Sequence, residues 1–311
     1  MMKSDSGTLT FRQPDYKPLV NAPLYKKRKA SLTQTKTKPD IAGLLLKALC
    51  LLAAALGFGI MASLVIYILA KGIPYLNASL FAWTYTTQNV SMMPAILNTI
   101  LTVVLTLLFA LPAGIGAAIY LEEYAPKNSR FVSLVSVMAE TLSGIPSIVF
   151  GLFGMLFFGY TLHLGLSLLC GVLTLAILVL PLILRTAQQA FALIPNSMRE
   201  ASYALGAGRL QTIFKVLLPQ ALPGIFSGVL LASGRILGES AALIYTAGTL
   251  AKVAFNVMDP GATLSVHLYK LLNEGLYMNQ AAAVAVVLFV LCIVMNLGQQ
   301  LLLGRMTKGS K

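Results

Sequence analysis

Long apolar runs almost free of charge constrain this chain more than any other feature. They fall at about 48–70, 94–120, 131–160, 165–184, 223–247 and 281–303, each at or above the roughly 20 residues an α-helix needs to cross a bilayer core. A backbone in hydrocarbon must satisfy its own hydrogen bonds, so the runs read as helices. The expected fold is an all-α integral membrane protein, a helical bundle of six spans. Composition agrees: 57% of residues are hydrophobic and 11% charged, too little polar surface for a water-soluble domain of this length. The third run is overlong and carries Pro146 between Gly144 and Gly151, which predicts a kink or a tilted entry.

The formal net charge of +13 would suggest a nucleic-acid partner in a soluble protein. Here the basic residues lie in tails and short loops, so they report topology and no nucleic acid is expected. The first tail with Lys26-Lys27-Arg28-Lys29, the Lys127 and Arg130 loop, the Arg185, Arg199, Arg209 and Lys215 loop, and the end with Arg305, Lys308 and Lys311 share one side. The other side holds Lys71, Lys252 and Lys270. The positive-inside rule places both termini in the cytoplasm. The first run is longer than the roughly 7–15 apolar residues of a cleavable signal, so it is expected to stay as an anchor. The chain divides into a basic tail (1–40), a first span with its outer loop (41–93), a main membrane domain (94–303) and a short tail (304–311). Cys50, Cys170 and Cys292 lie in separate runs without CxxC spacing and read as small buried hydrophobes.

The loop between the fourth and fifth runs is too polar to insert. Ser197 is placed to cap a short helix, with Glu200 completing a capping box. Ala201, Ala204 and Leu205 give it a weakly apolar face, and Gly206-Ala207-Gly208 ends it. Leu210, Ile213, Phe214 and Leu217 mark a second amphipathic helix ending at Pro219. Two short helices joined through glycine make a knob on the cytoplasmic side, which suits a bundle driven by a cytoplasmic partner.

The knob reads Glu200-Ala201-Ser202, then Gly206, then after nine residues Val216-Leu217-Leu218-Pro219. This resembles the cytoplasmic signature of type 1, binding-protein-dependent ABC importer permeases, with Ser202 in place of an alanine and Val216 in place of an isoleucine. Asn98-Thr99 through Pro112-Ala113-Gly114 to Tyr120-Leu121-Glu122-Glu123-Tyr124-Ala125 resembles the opening of the same domain. The stretches 144–152 and 235–241 look like the phosphate-specific branch, nearer its PstA-type than its PstC-type subunit. The resemblance implies a coupling helix that docks in an ATPase groove through Glu200, Ala201, Ser202, Gly206, Leu218 and Pro219. It also implies a cytoplasmic ABC ATPase in two copies, a second PstC-like permease subunit, an extracytoplasmic phosphate-binding protein and a place in the bacterial inner membrane. No cofactor is expected on this chain, and ATP would be consumed by the partner. The C-terminal glycines lack the Lys-Ser/Thr of a nucleotide-binding loop.

Charges inside the runs are few: Glu140, Arg235 and Glu239. An arginine at the centre of a span costs about 2.5–3.5 kcal/mol, which makes Arg235 a functional candidate. It lies about 12 residues, roughly 18 Å, into its run, and Glu239 is one turn on along the same face. Gly224 and Gly228 share that face and Gly234 and Gly238 lie beside it, so close helix packing is expected. A guanidinium presents a fork of donors to an oxyanion and keeps its charge. Arg235 is therefore expected to contact the anion while Glu239 balances its charge; a structural ion pair is the alternative. Arg185 either marks the cytoplasmic end of its span or, by the resemblance, lines the inner pathway, and Glu140 is expected to bond a neighbouring helix. Sulfate or molybdate is the nearest rival substrate. A proton-coupled secondary transporter is a further alternative, against which the sequence shows no paired interrupted helices. His163 and His267 are isolated, so no metal site is expected, and no acid, base or nucleophile cluster suggests an enzyme.

Overall fold

The computed structural model describes residues 41–126 and 129–308. The basic tail 1–40, Lys127 and Lys311 lie outside the described residues. Among those described there is no strand, and the helices are α1 (Ile41–Gly72), α2 (Met93–Ile119), α3 (Arg130–Gly144), α4 (Ser147–Gly154), α5 (Leu168–Ala192), α6 (Asn196–Ala204), α7 (Arg209–Thr212), α8 (Leu218–Gly238), α9 (Ala241–Thr246), α10 (Leu264–Glu274) and α11 (Met278–Lys308). Wide π-turns extend α2 over Tyr120–Tyr124 and α4 over Met155–Thr161, and join α7 to α8 over Ile213–Leu217.

The chain forms two units, Met1–Ser63 and Leu64–Lys311. The first unit contributes the greater part of α1, whose leucines from Leu44 to Leu56 are exposed all round, as in a helix that faces lipid. Cys50 is exposed there, which corrects its expected burial; Cys170 is buried as expected.

In the second unit α5 is the central helix, packed against α2 and α8. Val103, Ala110, Leu175, Val179, Ile183, Ala232, Ile236 and Leu243 form its core. The expected close packing along α8 is present at Gly224, where an added methyl would sit 2.6 Å from the Ala190 Cβ, and at Gly228, where it would strike Thr186. At Gly234 and Gly238 it would meet open space, so that half of the small-residue face is unfilled within this chain.

The third run carries the kink expected at Pro146, and the fifth run is corrected. The third is two helices, α3 and α4, bent by 100° and therefore either a broken span or a re-entrant loop. Proline disfavours helical backbone in the residue before it, and Ile145 is extended at φ −71°, ψ 134°. Among the described residues five single helices are long and apolar enough to cross a membrane, six spans if the bent pair is one. The fifth run is displaced: its helix spans Arg209–Gly238 and stops well before 247. Pro219 does not end the amphipathic segment but sits in the first turn of α8, just after the π-turn, where its missing N–H is tolerated. Of the predicted apolar face, Ile213 and Leu217 are buried, while Leu210 and Phe214 are exposed. The helices are thus interrupted at 145–146, where Pro146 predicted a kink, and at 239–240, where nothing was expected. The pieces beyond the breaks pack together: a methyl on Gly151 of α4 would lie 2.7 Å from the Ala242 Cα of α9.

Candidate functional site: the knob and the membrane charges

The knob is α6 folded against α7. Pro195, with φ −59° and ψ 140°, sets the entry, and no side chain caps α6; the Ser197–Glu200 capping box is therefore not formed. The first turn is organised instead by Arg199, whose Nη1 donates to the Ile194 carbonyl at 2.8 Å and to Asn196 Oδ1 at 3.4 Å. Gly206 ends α6 at φ +81°, the left-handed conformation glycine adopts without a Cβ penalty, and Ala207 N–H returns to the Ser202 carbonyl at 3.1 Å. Ser202 is buried and its Oγ lies 2.8 Å from Thr212 Oγ1. The hydroxyl that departs from the alanine pattern thus ties α6 to α7.

A groove of about 510 Å³ runs between the two helices, lined among others by Ala201, Ser202, Leu205, Gly206 and Lys215. Leu205 is 89% exposed, an apolar tip on a polar loop. Of the predicted coupling residues the groove gathers Ala201, Ser202 and Gly206. Glu200 is exposed outside the lining, and Leu218 and Pro219 are half-buried in the first turn of α8.

Beneath the knob lies a cluster that sequence reasoning missed. Arg199 Nη2 and Nε donate to Glu123 Oε1 at 2.7 and 3.1 Å, and Nη2 also reaches the Phe191 carbonyl at 3.1 Å. Arg209 donates to the Glu123 carbonyl and stacks its guanidinium 4.5 Å from the Tyr124 ring centroid. Glu123 is buried and sits in the π-turn that ends α2. Its only sequence signal was the Glu-Glu-Tyr-Ala run.

Arg235 is half-buried in the last turn of α8, not mid-helix. Among the described residues it makes no hydrogen bond or ion pair. Glu239 lies past the helix end, buried, with Oε1 accepting the Ala242 N–H at 3.2 Å and its carbonyl accepting from Ser265 Oγ at 2.6 Å. The structure therefore does not pair Arg235 with Glu239: the carboxylate caps α9. Arg185 on α5 contacts Glu140 of α3 at 3.2 Å and donates to the Ser136 carbonyl at 3.1 Å, so Glu140 does bond a neighbouring helix. A cleft of about 230 Å³ continues from Arg185 past Gln188 and Gln189 to Glu122.

At the opposite end, Asn98 and Thr99 pin the 249–264 segment. Asn98 Nδ2 donates to the carbonyls of Lys252 at 2.8 Å and Ala262 at 3.1 Å, and Oδ1 accepts the Ala254 N–H at 3.0 Å. Thr99 Oγ1 accepts the Leu264 N–H at 2.8 Å. His267 of α10 is buried with neither ring nitrogen hydrogen-bonded. Burial, and secondarily Lys270, lowers its pKa to about 4. Among the described residues no group of three or more His, Cys, Asp or Glu could hold a metal ion.

Residues 110–308 match the family described as binding-protein-dependent transport system inner membrane component. The chain is 33% identical over 245 residues to the probable ABC transporter permease protein YqgI of Bacillus subtilis, covering 72% of this chain and 81% of that one. It is 33% identical over 236 residues to the phosphate transport system permease protein PstA of Haemophilus influenzae, covering 73% and 82%. To the phosphate transport system permease protein PstC of Mesorhizobium japonicum it is 28% identical, covering 68% and 72%. Its fold is similar to a chain of the bacterial alginate ABC transporter solved with a pentasaccharide-bound periplasmic protein, with a TM-score of 0.64 at 19% identity over 92% of this chain and 98% of that one. At that identity the likeness concerns the fold alone.

Proposed function

The chain belongs to the family of binding-protein-dependent transport system inner membrane components, and from that premise we propose that it is a PstA-type permease subunit through which inorganic phosphate crosses the inner membrane. Its place as a permease subunit of an ABC importer follows from the family. The observation that carries the phosphate reading is the 33% identity to a PstA protein over 82% of that protein's length. Arg235 supports it: a half-buried guanidinium with no partner among the described residues, beside an interrupted helix, is free to offer its fork of donors to a tetrahedral oxyanion.

In this reading Arg235 contacts phosphate in transit. Glu239 caps α9 and sets a negative charge across the break from it, and Arg185 with Glu140 lines the inner pathway. The knob end faces the cytoplasm, where Ala201, Ser202 and Gly206 in the groove, Glu200 on its rim and Leu218 and Pro219 at its base meet an ABC ATPase. ATP is consumed there, and this chain carries no cofactor. A PstC-like second permease completes the channel, and an extracytoplasmic binding protein delivers the anion.

The test is uptake of labelled phosphate, sulfate and molybdate into vesicles holding the assembled importer with ATP inside. Phosphate uptake that survives collapse of the proton gradient and exceeds the other two by at least tenfold is the expected result. Equal or faster sulfate or molybdate uptake overturns the substrate. Accumulation by this chain alone, without an ATPase, overturns the mechanism.

A further inference from the structure

We infer that α2 is a rod that keeps the knob and the far 249–264 segment in step, latched at one end by Glu123 and at the other by Asn98 and Thr99. The inference rests on the reading of the knob as the point where an ATPase acts, and not on which anion is carried.

The knob's covalent connections run to α5 and α8 and do not reach α2. What joins it to α2 is a set of polar bonds that converge on one residue. The Glu123 carboxylate takes Arg199 of α6, its carbonyl takes Arg209 of α7, and the adjacent Tyr124 ring lies against Arg209. Arg199 also holds the Phe191 and Ile194 carbonyls at the end of α5, so one guanidinium fixes the knob, α5 and α2 at a point. A planar guanidinium bonded in several directions resists rotation and sliding in a way apolar packing does not. The Glu123 side chain is 5% and the Arg199 side chain 17% exposed, on the wall of a cavity of about 780 Å³ that Tyr203 and Arg209 also line.

The far end of the same helix is latched as firmly. Asn98 uses its amide oxygen and nitrogen on Lys252, Ala254 and Ala262, and Thr99 caps the first N–H of α10. Gly261 allows this closeness, since a methyl there would come 2.6 Å from Asn98 Nδ2. Residues 98 and 123 are about 37 Å apart along a helix at 1.5 Å per residue, roughly the thickness of a bilayer. Between them α2 rides on α5, with Gly114 pressed against Ile183. A shift of the knob is thereby transmitted to the segment that the function places outside, and an event outside is transmitted back.

The experiment uses the fully assembled importer and reads ATP hydrolysis with and without loaded binding protein, together with ATP spent per anion imported. Glu123→Gln removes the charge at the inner latch; Asn98→Ala removes the outer latch, remote from the ATPase. Asn98→Ala is expected to assemble and hydrolyse ATP at its basal rate; Glu123→Gln, whose amide oxygen still accepts from Arg199, is expected to assemble with a lowered melting temperature and the same basal rate per assembled complex. Stimulation by the binding protein should fall at least fivefold, and ATP spent per anion should rise by a similar factor. Retained stimulation in both variants overturns the rod, as does a loss of assembly yield or melting temperature with the ATP-to-anion ratio unchanged in the surviving complexes. If Glu123→Gln does not assemble, Asn98→Ala alone decides in the same way. A wild-type chain that binds no ATPase would instead sink the functional reading, which separates the two failures.

Discussion

Among the described residues of the second unit, the Arg199–Glu123 and Arg185–Glu140 pairs share one chemistry and have opposite construction. Arg199 meets Glu123 through Nε and Nη2 and bonds two backbone carbonyls through Nη1 and Nη2, the two side chains being 17% and 5% exposed. Arg185 meets Glu140 through one nitrogen at 3.2 Å, and those side chains are 36% and 72% exposed. The first pair is a joint: every strong donor direction is used, and breaking it strands a charge away from water. The second is an exchangeable contact, weak enough in an exposed setting for another anion to take the place of the carboxylate. One fold therefore uses arginine both in a many-bonded joint and in an open, singly bonded contact.

The largest effect should come from breaking the joint. Glu123→Ala leaves the half-buried Arg199 without its counter-ion, and we expect a loss of up to about 3 kcal/mol, read as a lowered melting temperature and early proteolysis in the 193–208 loop. Pairing it with Arg199→Met should recover much of that loss, because replacing both charges removes the stranded one. Equal loss in the single and double variants would show that packing, not charge, holds the knob.

His267 sharpens the contrast from another side, as a buried ionisable group that forms no ion pair among the described residues. Its folded pKa of about 4 lies below the ordinary 6.5 because burial disfavours the imidazolium, and Lys270 adds to this; Tyr85 is the aromatic ring set edge-on against it. Between pH 6.5 and 4 the unfolded chain takes a proton that the folded chain refuses. Stability should therefore be fully present above pH 6.5 and fall by at most about 1.4 kcal/mol per pH unit through that window. His267→Gln should flatten the slope in melting temperature over that range. An unchanged slope would assign the acid loss to other groups.

The parts of this fold that follow from local rules were legible from sequence, and those that depend on distant residues were not. Apolar run length located the long helices, and Gly206 marked the end of α6 because a left-handed residue there requires glycine. Pro146 gave a break but not its 100° size. The interruption at Glu239 carried no proline, and a carboxylate that caps α9 is indistinguishable in sequence from one that faces Arg235. Continuous apolar composition hid the end of α8 at Gly238, so Arg235 read as mid-span. Glu123 and Arg199 are 76 residues apart, and each was visible only as a motif letter or a topology marker. Ser202 looked like a mild departure, whereas its hydroxyl closes α6 onto α7.

Arg235 belongs to neither construction, having no partner among the described residues. Arg235→Gln should leave assembly and melting temperature unchanged or slightly improved, since an intramembrane charge is costly. Anion import should fall at least tenfold, equivalent to about 1.4 kcal/mol in transition-state stabilisation. Wild-type import by assembled Arg235→Gln complexes would remove the residue from the route.

Of the two pairs, the exchangeable one should show the smaller stability effect, and it is the one that decides whether the two constructions differ in kind. Glu140 is largely exposed and contacts Arg185 through one nitrogen, so Glu140→Gln should change stability by less than about 1 kcal/mol, and a double-mutant cycle with Arg185→Gln should give a coupling of similar size. Its functional effect should be larger than its structural one. In the proposed reading, neutralising the carboxylate leaves Arg185 only the Ser136 carbonyl to return to when the anion leaves, so the anion should be held longer: KM and kcat for import both fall, by several-fold. A destabilisation matching that of Glu123→Ala, with KM unchanged, would make the Arg185–Glu140 contact a second joint and leave the inner route without its exchange partner.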